Sequence, residues 1–451
     1  MRARTKLIVL VGIAAAMLGT SAGIHAQLFS ARDPGLRGGP PAAGGSLAGL
    51  TNEERGYFSA GLDDFAEVEG IGDGLGPRFN LDSCVGCHSQ PAAGGSASAV
   101  NPQIAVATAF GARNVVPSFV TLTGPIREVR FKYKRDGTRD GGVHALFVIS
   151  GRQDATGDAR GCTATQEDFE SQVAHGNVSF RIPTPTFGGG LVEMISDRVI
   201  VANQAANAAA KNAAGISGRP NHNGNDGTIT RFGWKAQNKS LLVFSGEAYN
   251  VEMGVTSELF QSERDETPSC QFATVPNSTT PTQGTSLTGL SSIEKFAFFM
   301  RFLAPPAPST MAPGGAASIA RGRQLFTGTG CALCHTPTLY TSNAAVTALA
   351  NREVTLYSDL LLHGMGPELA DDIVQGDAGP DEFRTAPLWG LGQRIFLLHD
   401  GRTTDLVEAI RAHRSAGNGR FRASEANAVI ERYNALAERD KQDLLNFLRS
   451  L

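Results

Sequence analysis

The sequence predicts a mainly α-helical protein of two domains, the first enlarged by loops and by a small amount of β structure. The motif Cys-x-x-Cys-His occurs twice, at Cys84–His88 and at Cys331–His335, so that each half of the chain carries one copy. A Pro- and Gly-rich break at 305–315 separates the copies, and 451 residues exceed the usual size of one domain. We therefore predict an N-terminal domain with a large insertion at 27–304 and a C-terminal domain at 316–451.

The two motifs predict the covalent attachment of two haem c groups. Two thiols at this spacing form thioethers with one haem, and the His that follows supplies a nitrogen ligand to its iron. The residues with these roles are Cys84, Cys87, His88, Cys331, Cys334 and His335. A zinc site, a thioredoxin-like redox pair and local disulfides are the alternatives, but none of them requires a His after both cysteine pairs. We therefore expect both domains to be cytochrome c-like.

Residues 1–26 have the pattern of a secretory signal peptide. Three basic residues precede an apolar stretch at 7–18 that is too short to span a bilayer, and Ile24-His25-Ala26 suits a cleavage site. An uncleaved anchor is the alternative. Export agrees with the motifs, because bacteria attach c-type haem outside the cytoplasm. We expect a periplasmic protein with no membrane span once the leader is removed.

Two cysteines remain when the four motif cysteines are assigned to haem. They are Cys162 and Cys270, and an even remainder in an oxidising compartment predicts a disulfide between them. Two free buried thiols are the alternative.

Helical patterns lie beside both motifs. Thr51 and the acidic residues that follow it predict a helix start, with apolar residues on one face. A strongly apolar helix is expected at 291–303, a further helix at 317–326 before the second motif, and a terminal helix at 438–451. Helices that flank a haem-binding turn are the usual arrangement of small cytochromes.

The segments between these helices predict loops and a little β structure. Residues 27–48 are rich in Gly, Ala and Pro and are expected to form a mobile arm. Alternation at 126–131 and an apolar run at 145–149 predict a small antiparallel sheet. A Pro- and Gly-rich loop at 180–190 and a Thr-, Pro- and Ser-rich linker at 274–289 complete the first domain.

Beyond the motifs, several blocks resemble the bacterial di-haem oxidoreductases, also described as thiol oxidoreductases, within the wider di-haem cytochrome c peroxidase group. The blocks are Phe79-Asn80, Pro91-Ala92, Phe187–Glu193, Ile216–Asn221, Arg231–Ala236, Tyr357–Gly366, Arg384–Gly392 and Leu398–Arg402. Relatives have an acidic run before Ile216 that is similar to a calcium loop. Residues 204–215 contain no Asp or Glu, so calcium is not expected there.

The resemblance implies a second histidine ligand for the C-terminal haem. His413 lies at the helix position from which relatives present a sixth ligand, and a surface histidine is the alternative. His363 and Met365 are the next candidates. His399 is implied either to contact a haem propionate or only to stabilise its turn.

The resemblance also implies a catalytic carboxylate and several supporting residues. Glu193 matches the carboxylate that relatives place over the N-terminal haem; the alternative is a Glu that stabilises a helix start. Trp234 and Trp389 are expected either to relay electrons between the haems or to be core aromatics. Arg231 and Lys235 are candidate partners of the propionates. His144 and His175 are further candidates for the N-terminal iron.

The favoured function is a periplasmic oxidoreductase. Electrons pass from the C-terminal haem to an N-terminal haem, which reduces peroxide or a similar small-molecule oxidant. The expected donor is a small periplasmic cytochrome or a cupredoxin, and the formal net charge of −3 gives no support to a nucleic-acid partner. The alternatives are a di-haem electron carrier without turnover and an oxygenase that acts on an apolar substrate with dioxygen.

Overall fold

The computed structural model describes residues 30–311 and 313–451. The predicted leader at 1–26 lies outside the described residues. The described chain is 31% helix and 10% strand, so helices dominate and the prediction of a mainly α protein is confirmed. Within these residues, no helix combines the length and the apolar character that a membrane crossing requires.

Helices of different lengths are distributed over the whole described chain. They are α1 (Asn52–Ala66), α2 (Cys84–Cys87), α3 (Gln103–Val106), α4 (Phe169–Ala174), α5 (Gly189–Glu193), α6 (Asp197–Ala205), α7 (Ala208–Ala214), α8 (Leu241–Met253), α9 (Ser292–Phe302), α10 (Gly315–Thr329), α11 (Leu406–Ala412), α12 (Asn427–Asn434) and α13 (Glu438–Ser450). Thr51 caps α1 through a capping box with Glu54, as predicted.

The strands are short and pair antiparallel, two by two. They are β1 (Arg78–Phe79) with β3 (Phe147–Val148), β2 (Glu128–Phe131) with β4 (Val178–Arg181), β5 (Asn221–His222) with β6 (Ile229–Thr230), β7 (Leu339–Tyr340) with β8 (Glu353–Val354), and β9 (Leu362–Gly364) with β10 (Glu382–Arg384). The two predicted strands at 126–131 and 145–149 both exist. They do not pair with each other: β2 pairs with β4, and β3 pairs with β1. The partners of such short strands are determined by tertiary contacts.

Beside each motif, two helices pack closely against each other at a glycine. In the first half α1 packs on α9 at Gly61, where an added Cβ would lie 2.3 Å from the carbonyl oxygen of Lys295. In the second half α10 packs on α13 at Gly322, where an added Cβ would lie 2.0 Å from the carbonyl oxygen of Asp443. Only glycine permits the backbones to approach this closely.

One helical turn after each of these glycines, a phenylalanine packs near the motif histidine. The ring centroid of Phe65 lies 6.0 Å from that of His88, and the centroid of Phe326 lies 6.4 Å from that of His335. Residues four apart share one helix face. The glycine lets the two helices approach, and the phenylalanine on the same face packs near the histidine. The two halves therefore repeat one local arrangement around the motif, while the domain limits stay a prediction.

The expectation of a mobile arm at 27–48 is wrong for the described part, residues 30–48. Asp33 forms an ion pair with Arg449 in which both side chains are buried, and Arg37 is 5% exposed. The composition of this segment predicted mobility because its Gly, Ala and Pro residues offer little side-chain surface for packing. Partners from the far end of the chain supply the contacts that fix this segment.

The largest hydrophobic cluster joins the two halves of the chain. It contains Phe65 and Phe299 from the first half together with Leu356 and Trp389 from the second. A separate cluster fills the space around α10 and α13. The halves therefore share a core instead of meeting only at their surfaces.

Cys162 and Cys270 form a disulfide, which confirms the prediction from the cysteine count. Both residues are buried, and Cys270 ends a short 3-10 turn at Pro268–Cys270. The four motif cysteines form no disulfide, which excludes the local disulfides that the sequence left as an alternative.

Candidate functional site

Each Cys-x-x-Cys-His motif lines a cavity of its own. The first cavity, beside Cys84, Cys87 and His88, has an empty volume of about 1090 Å³. The second cavity, beside Cys334 and His335, has an empty volume of about 1450 Å³. Because the cysteine pairs face different cavities, a single zinc site that uses both pairs is excluded.

The histidines of the two motifs are held in the same way. The Nδ1 of His88 bonds to the carbonyl oxygen of Gly95 at 2.9 Å, and that of His335 bonds to the carbonyl oxygen of Tyr357 at 3.1 Å. A carbonyl only accepts, so Nδ1 carries the proton and Nε2 keeps a free lone pair. Burial lowers the pKa of both rings, which makes them neutral at pH 7. A neutral imidazole oriented through Nδ1 is the usual form of a metal-binding histidine.

His413 lines the second cavity together with His335. Its Nδ1 donates to the carbonyl oxygen of Ala409 at 2.7 Å, so its Nε2 is also free. Burial lowers the pKa of the His413 ring. Burial is the larger cause that lowers the pKa of His335 to about 4, and electrostatic interaction with His413 is the second. The two rings are therefore close enough to interact. The wall of the second cavity therefore carries two imidazoles whose Nε2 atoms are free.

The other candidate ligand of this cavity, His363, has no free nitrogen. Its Nδ1 lies 2.8 Å from Glu425 and its Nε2 lies 2.9 Å from Asp359. Although burial opposes it, the surrounding negative groups raise the pKa of His363 well above its ordinary value. With a carboxylate beside each of its ring nitrogens, His363 is held by protein groups and presents no nitrogen to the cavity. Met365 remains on the cavity wall.

The remaining candidate histidines occupy three different environments. His399 lines the second cavity and stacks on Phe383 at 4.3 Å, and burial lowers its pKa to about 4. His144 stacks on Phe131 and faces two carboxylates. His175 is exposed at the end of α4. Neither His144 nor His175 lines the first cavity, so neither can reach an iron at His88.

Glu193, the predicted catalytic carboxylate, does not line the first cavity. Its Oε2 forms an ion pair with Arg301 at 2.8 Å, and its Oε1 accepts the backbone N–H of Leu241 at 2.9 Å. Glu193 ends α5, so it is not the acidic residue at the start of its own helix that the sequence offered as the alternative. Its carboxylate instead caps the start of a distant helix, α8. The preceding glycines likewise approach protein groups, since a Cβ on Gly188 would lie 2.6 Å from the ring of Trp389.

Two other carboxyl groups line the first cavity, and the sequence did not single them out. Glu128 lies on β2 and Glu252 lies near the end of α8. The two are joined by a hydrogen bond, and Asn80 donates to Glu252 at 2.7 Å. Burial and the neighbouring Glu128 raise the pKa of Glu252 well above its ordinary value. Burial also opposes ionisation of Glu128, but Arg130 and Arg181 outweigh it and lower that pKa. Glu252 therefore keeps a proton more easily than Glu128 does.

A third, central cavity lies between the first and the second. Trp234 lines all three cavities, and Trp389 lines the central one. The indole N–H of Trp234 donates to the carbonyl oxygen of Ile182 at 2.8 Å, which fixes the plane of its ring. Trp234 is thus the aromatic residue common to the walls of both motif cavities.

Two arginines of the central cavity fit the acidic groups of a haem. Arg384 and Arg394 each also line the second cavity. Burial, and then repulsion by another arginine, lowers the pKa of each to about 10. Their hydrogen bonds go to backbone carbonyls, and neither forms an ion pair with a carboxylate of the described chain. Buried cations of this kind are suited to the propionates of a haem.

Arg231 and Lys235, the predicted propionate partners, are already paired with protein groups. Arg231 lines the central cavity, but its guanidinium bonds to Asp197 and to the carbonyl oxygen of Ile195. Lys235 is fully buried, lies 3.0 Å from Asp371 and contributes to none of the three cavity walls. Burial lowers the pKa of Lys235 to about 8.

The fold and the site define a helical protein with two cavities, each lined by one Cys-x-x-Cys-His motif. A family model described as "Di-haem oxidoreductase, putative peroxidase" matches residues 126–451. The chain belongs to this family, whose description implies two haems in one chain. The match includes the second motif and begins after the first.

Two solved structures are similar to the chain at low levels. A MauG-like protein associated with microbial copper homeostasis is 17% identical, with 60% of this chain and 90% of that chain covered and a TM-score of 0.31. Hydrazine synthase of Kuenenia stuttgartiensis is 14% identical, with 46% of this chain and 60% of that chain covered and a TM-score of 0.25. No curated protein matches the chain. Because the identities and TM-scores of the two structures are low, the assignment of the chain to its family depends on the family model alone.

Proposed function

We propose that the protein is a periplasmic di-haem c-type oxidoreductase. Electrons pass from a haem at Cys331–His335 to a haem at Cys84–His88, where peroxide or a similar small oxidant is reduced. The observation that carries the proposal is that each motif lines its own cavity while Trp234 lines both. Membership in the di-haem oxidoreductase family supports the redox class.

The ligands that the two cavities offer support different roles. A bound haem supplies a redox-active iron, which transfers electrons when two strong protein ligands hold it and binds substrate when one position is open. His335 and His413 offer two neutral imidazoles in the second cavity. Among the described residues that line the first cavity, His88 is the one histidine. Met253 and Met300 also line it, but a thioether is a weaker iron ligand than an imidazole. The second cavity therefore suits electron transfer, and the first suits substrate.

The carboxyl pair of the first cavity supports proton transfer to the oxidant. Reduction of one hydrogen peroxide by two electrons consumes two protons and releases two water molecules. The raised pKa of Glu252 favours its protonated form beside the cavity, and Glu128 accepts a hydrogen bond from it. A carboxyl group in this state can donate a proton to a leaving oxygen and be reprotonated afterwards. This role falls to Glu252, in place of Glu193.

The location and the donor are proposed from the sequence. The leader pattern and the Cys162–Cys270 disulfide support an oxidising compartment outside the cytoplasm. A small periplasmic cytochrome or a cupredoxin is the proposed electron donor, since both carry single electrons in that compartment.

A count of covalent haems tests the proposal. The purified protein should keep two haems after extraction with acidified acetone, and its mass should increase by two haem units. Cys87→Ala and Cys334→Ala should each weaken attachment at one site only, whereas Cys162→Ser should leave both haems in place. Full covalent loading with unchanged spectra in Cys334→Ala would contradict the second site.

An electron paramagnetic resonance spectrum separates the enzyme from a simple carrier. The proposal expects one low-spin iron and one iron that is high-spin or becomes so when the protein is partly reduced. Two low-spin irons that bind no cyanide and do not react with peroxide would replace the enzyme by an electron carrier.

A further inference from the structure

A buried carboxyl group without a cationic partner lies beside the first cavity. Glu69 follows α1 and is 5% exposed. Its Oε1 accepts a hydrogen bond of 2.6 Å from the hydroxyl group of Tyr249. Arg152 reaches only the backbone oxygen of Glu69, because its guanidinium forms ion pairs with two aspartates. In the described chain no Lys or Arg forms an ion pair with the Glu69 carboxylate, and a buried acid without such a partner holds its proton easily.

Tyr249 connects this carboxyl group to the first cavity. It is 3% exposed, lies on α8 and contributes to the cavity wall. One turn further along α8, the sulfur of Met253 lies 3.9 Å from the sulfur of Cys84. One phenol ring therefore separates Glu69 from the space beside a cysteine of the first motif.

The charged surroundings of Glu69 are mostly acidic. The titratable and charged groups that face it are Asp64, Glu67, Asp73, Asp82, Cys84, Arg152, Tyr249 and Lys295. Lys295 is paired with Asp64. Burial, reinforced by the neighbouring acids and opposed by the hydrogen bond from Tyr249, raises the pKa of Glu69 to about 7. Glu67 and Asp73 are exposed and offer a short route to water.

We propose that Glu69 and Tyr249 form a redox-linked proton-binding site of the first cavity. When an external one-electron donor reduces the iron there, the Glu69 carboxylate binds one proton from solvent, and re-oxidation releases it. An O–H bond of a solvent hydronium ion breaks as the O–H bond of Glu69 forms, and re-oxidation reverses both changes. The added electron favours the protonated acid because it lowers the positive charge nearby. This inference rests on the proposed haem at the first motif.

The reduction potential of the full-length protein with both haems measures this coupling. The potential of the haem at the first motif should fall as the pH rises near neutrality, with a slope that approaches about 59 mV per pH unit for one proton and one electron. Glu69→Gln should flatten this slope. Glu67→Gln removes an exposed carboxylate from the same loop, and this control variant should retain the slope. Infrared difference spectra should also lose one carboxyl signal in Glu69→Gln.

Tyr249→Phe provides a second variant that keeps the acid. Because the Tyr249 hydroxyl group stabilises the charged carboxylate, its removal should move the sloping region to higher pH. An unchanged slope in Glu69→Gln with two covalent haems, or a slope that is lost in Glu252→Gln instead, would overturn the inference. Absence of covalent haem at Cys84 and Cys87 would instead refute the proposed function, so the two failures are distinguishable.

Discussion

His335 and His413 line one cavity, and each donates its Nδ1 proton to a backbone carbonyl oxygen, Tyr357 at 3.1 Å and Ala409 at 2.7 Å. This arrangement leaves both Nε2 lone pairs free and fixes both rings before any metal is present. Preorganised neutral imidazoles bind iron without a further cost of deprotonation. The pair is therefore the strongest structural argument for a six-coordinate haem in the second half of the chain.

His413→Ala should convert this haem from low spin to high spin and slow the delivery of electrons. The physical reason is the loss of one of two strong-field nitrogen ligands. Electron paramagnetic resonance of the oxidised protein measures the change. His175→Ala is a matched control, because His175 also ends a helix and also bonds through Nδ1 to the carbonyl four residues earlier, but is exposed. An unchanged low-spin signal in His413→Ala would direct attention to Met365.

Glu252→Gln should lower peroxide turnover by about 10²-fold or more and leave the haem spectra nearly unchanged. The amide keeps the size of the side chain but removes its exchangeable acidic proton. Steady-state turnover with an artificial electron donor measures the effect. Glu193→Gln is the control: it should retain turnover, and it should reduce stability because Arg301 loses its ion-pair partner. The reverse pattern would restore Glu193 as the catalytic carboxylate.

The elements next to the motifs could be predicted because their signals are local. The cap at Thr51 and the apolar spacing of 291–303 and 438–451 place α1, α9 and α13 within a few residues of their observed limits. The disulfide followed from counting cysteines and from the compartment. These inferences need no knowledge of which segments meet in space.

The site beyond the motifs could not be predicted, because it depends on which distant side chains meet. The sequence around Glu193 does not show that Arg301, more than 100 residues later, holds its carboxylate. Glu128 and Glu252 likewise become a pair only when β2 meets α8. One signal was present but missed: Gly61 and Phe65 repeat the spacing of Gly322 and Phe326. The repeat is easy to overlook because its distance to the following motif differs between the halves.

Loss of the disulfide should destabilise the first half of the chain without altering haem attachment. Cys162 and Cys270 are 108 residues apart. If the disulfide acts mainly by restricting the unfolded chain, closure of a loop of this size stabilises the fold by about 5 kcal/mol. Cys162→Ser should therefore lower the urea midpoint. Reductant should lower the midpoint of the wild-type protein similarly and leave the variant unchanged. Alkylation of both thiols in the native, unreduced protein would contradict the bond.

The ion pair between Asp33 and Arg449 ties the N-terminal segment to the last helix. Two hydrogen bonds of 2.8 Å and 2.5 Å join the groups, and both side chains are at least nine-tenths buried. Burial opposes the charged form of Asp33, but the bonds from Arg449 and from the Leu406 N–H outweigh it and lower its pKa below 3.8. The pair therefore stabilises the folded state above pH 3.8, and this stabilisation is lost as the pH falls through the lowered pKa.

Asp33→Asn should lower the free energy of unfolding by about 3 kcal/mol at neutral pH, because it leaves the Arg449 charge buried without its partner. The difference from the wild-type protein should shrink as the pH falls below 3.8, since Asp33 of the wild-type protein then becomes protonated as well. Urea midpoints at several pH values measure it. Asp158→Asn, which breaks an exposed pair with Arg160, should change stability little. A deficit in Asp33→Asn that stays constant from pH 7 to the acid limit would mean that lost packing, and not the ion pair, holds residues 30–48 in place.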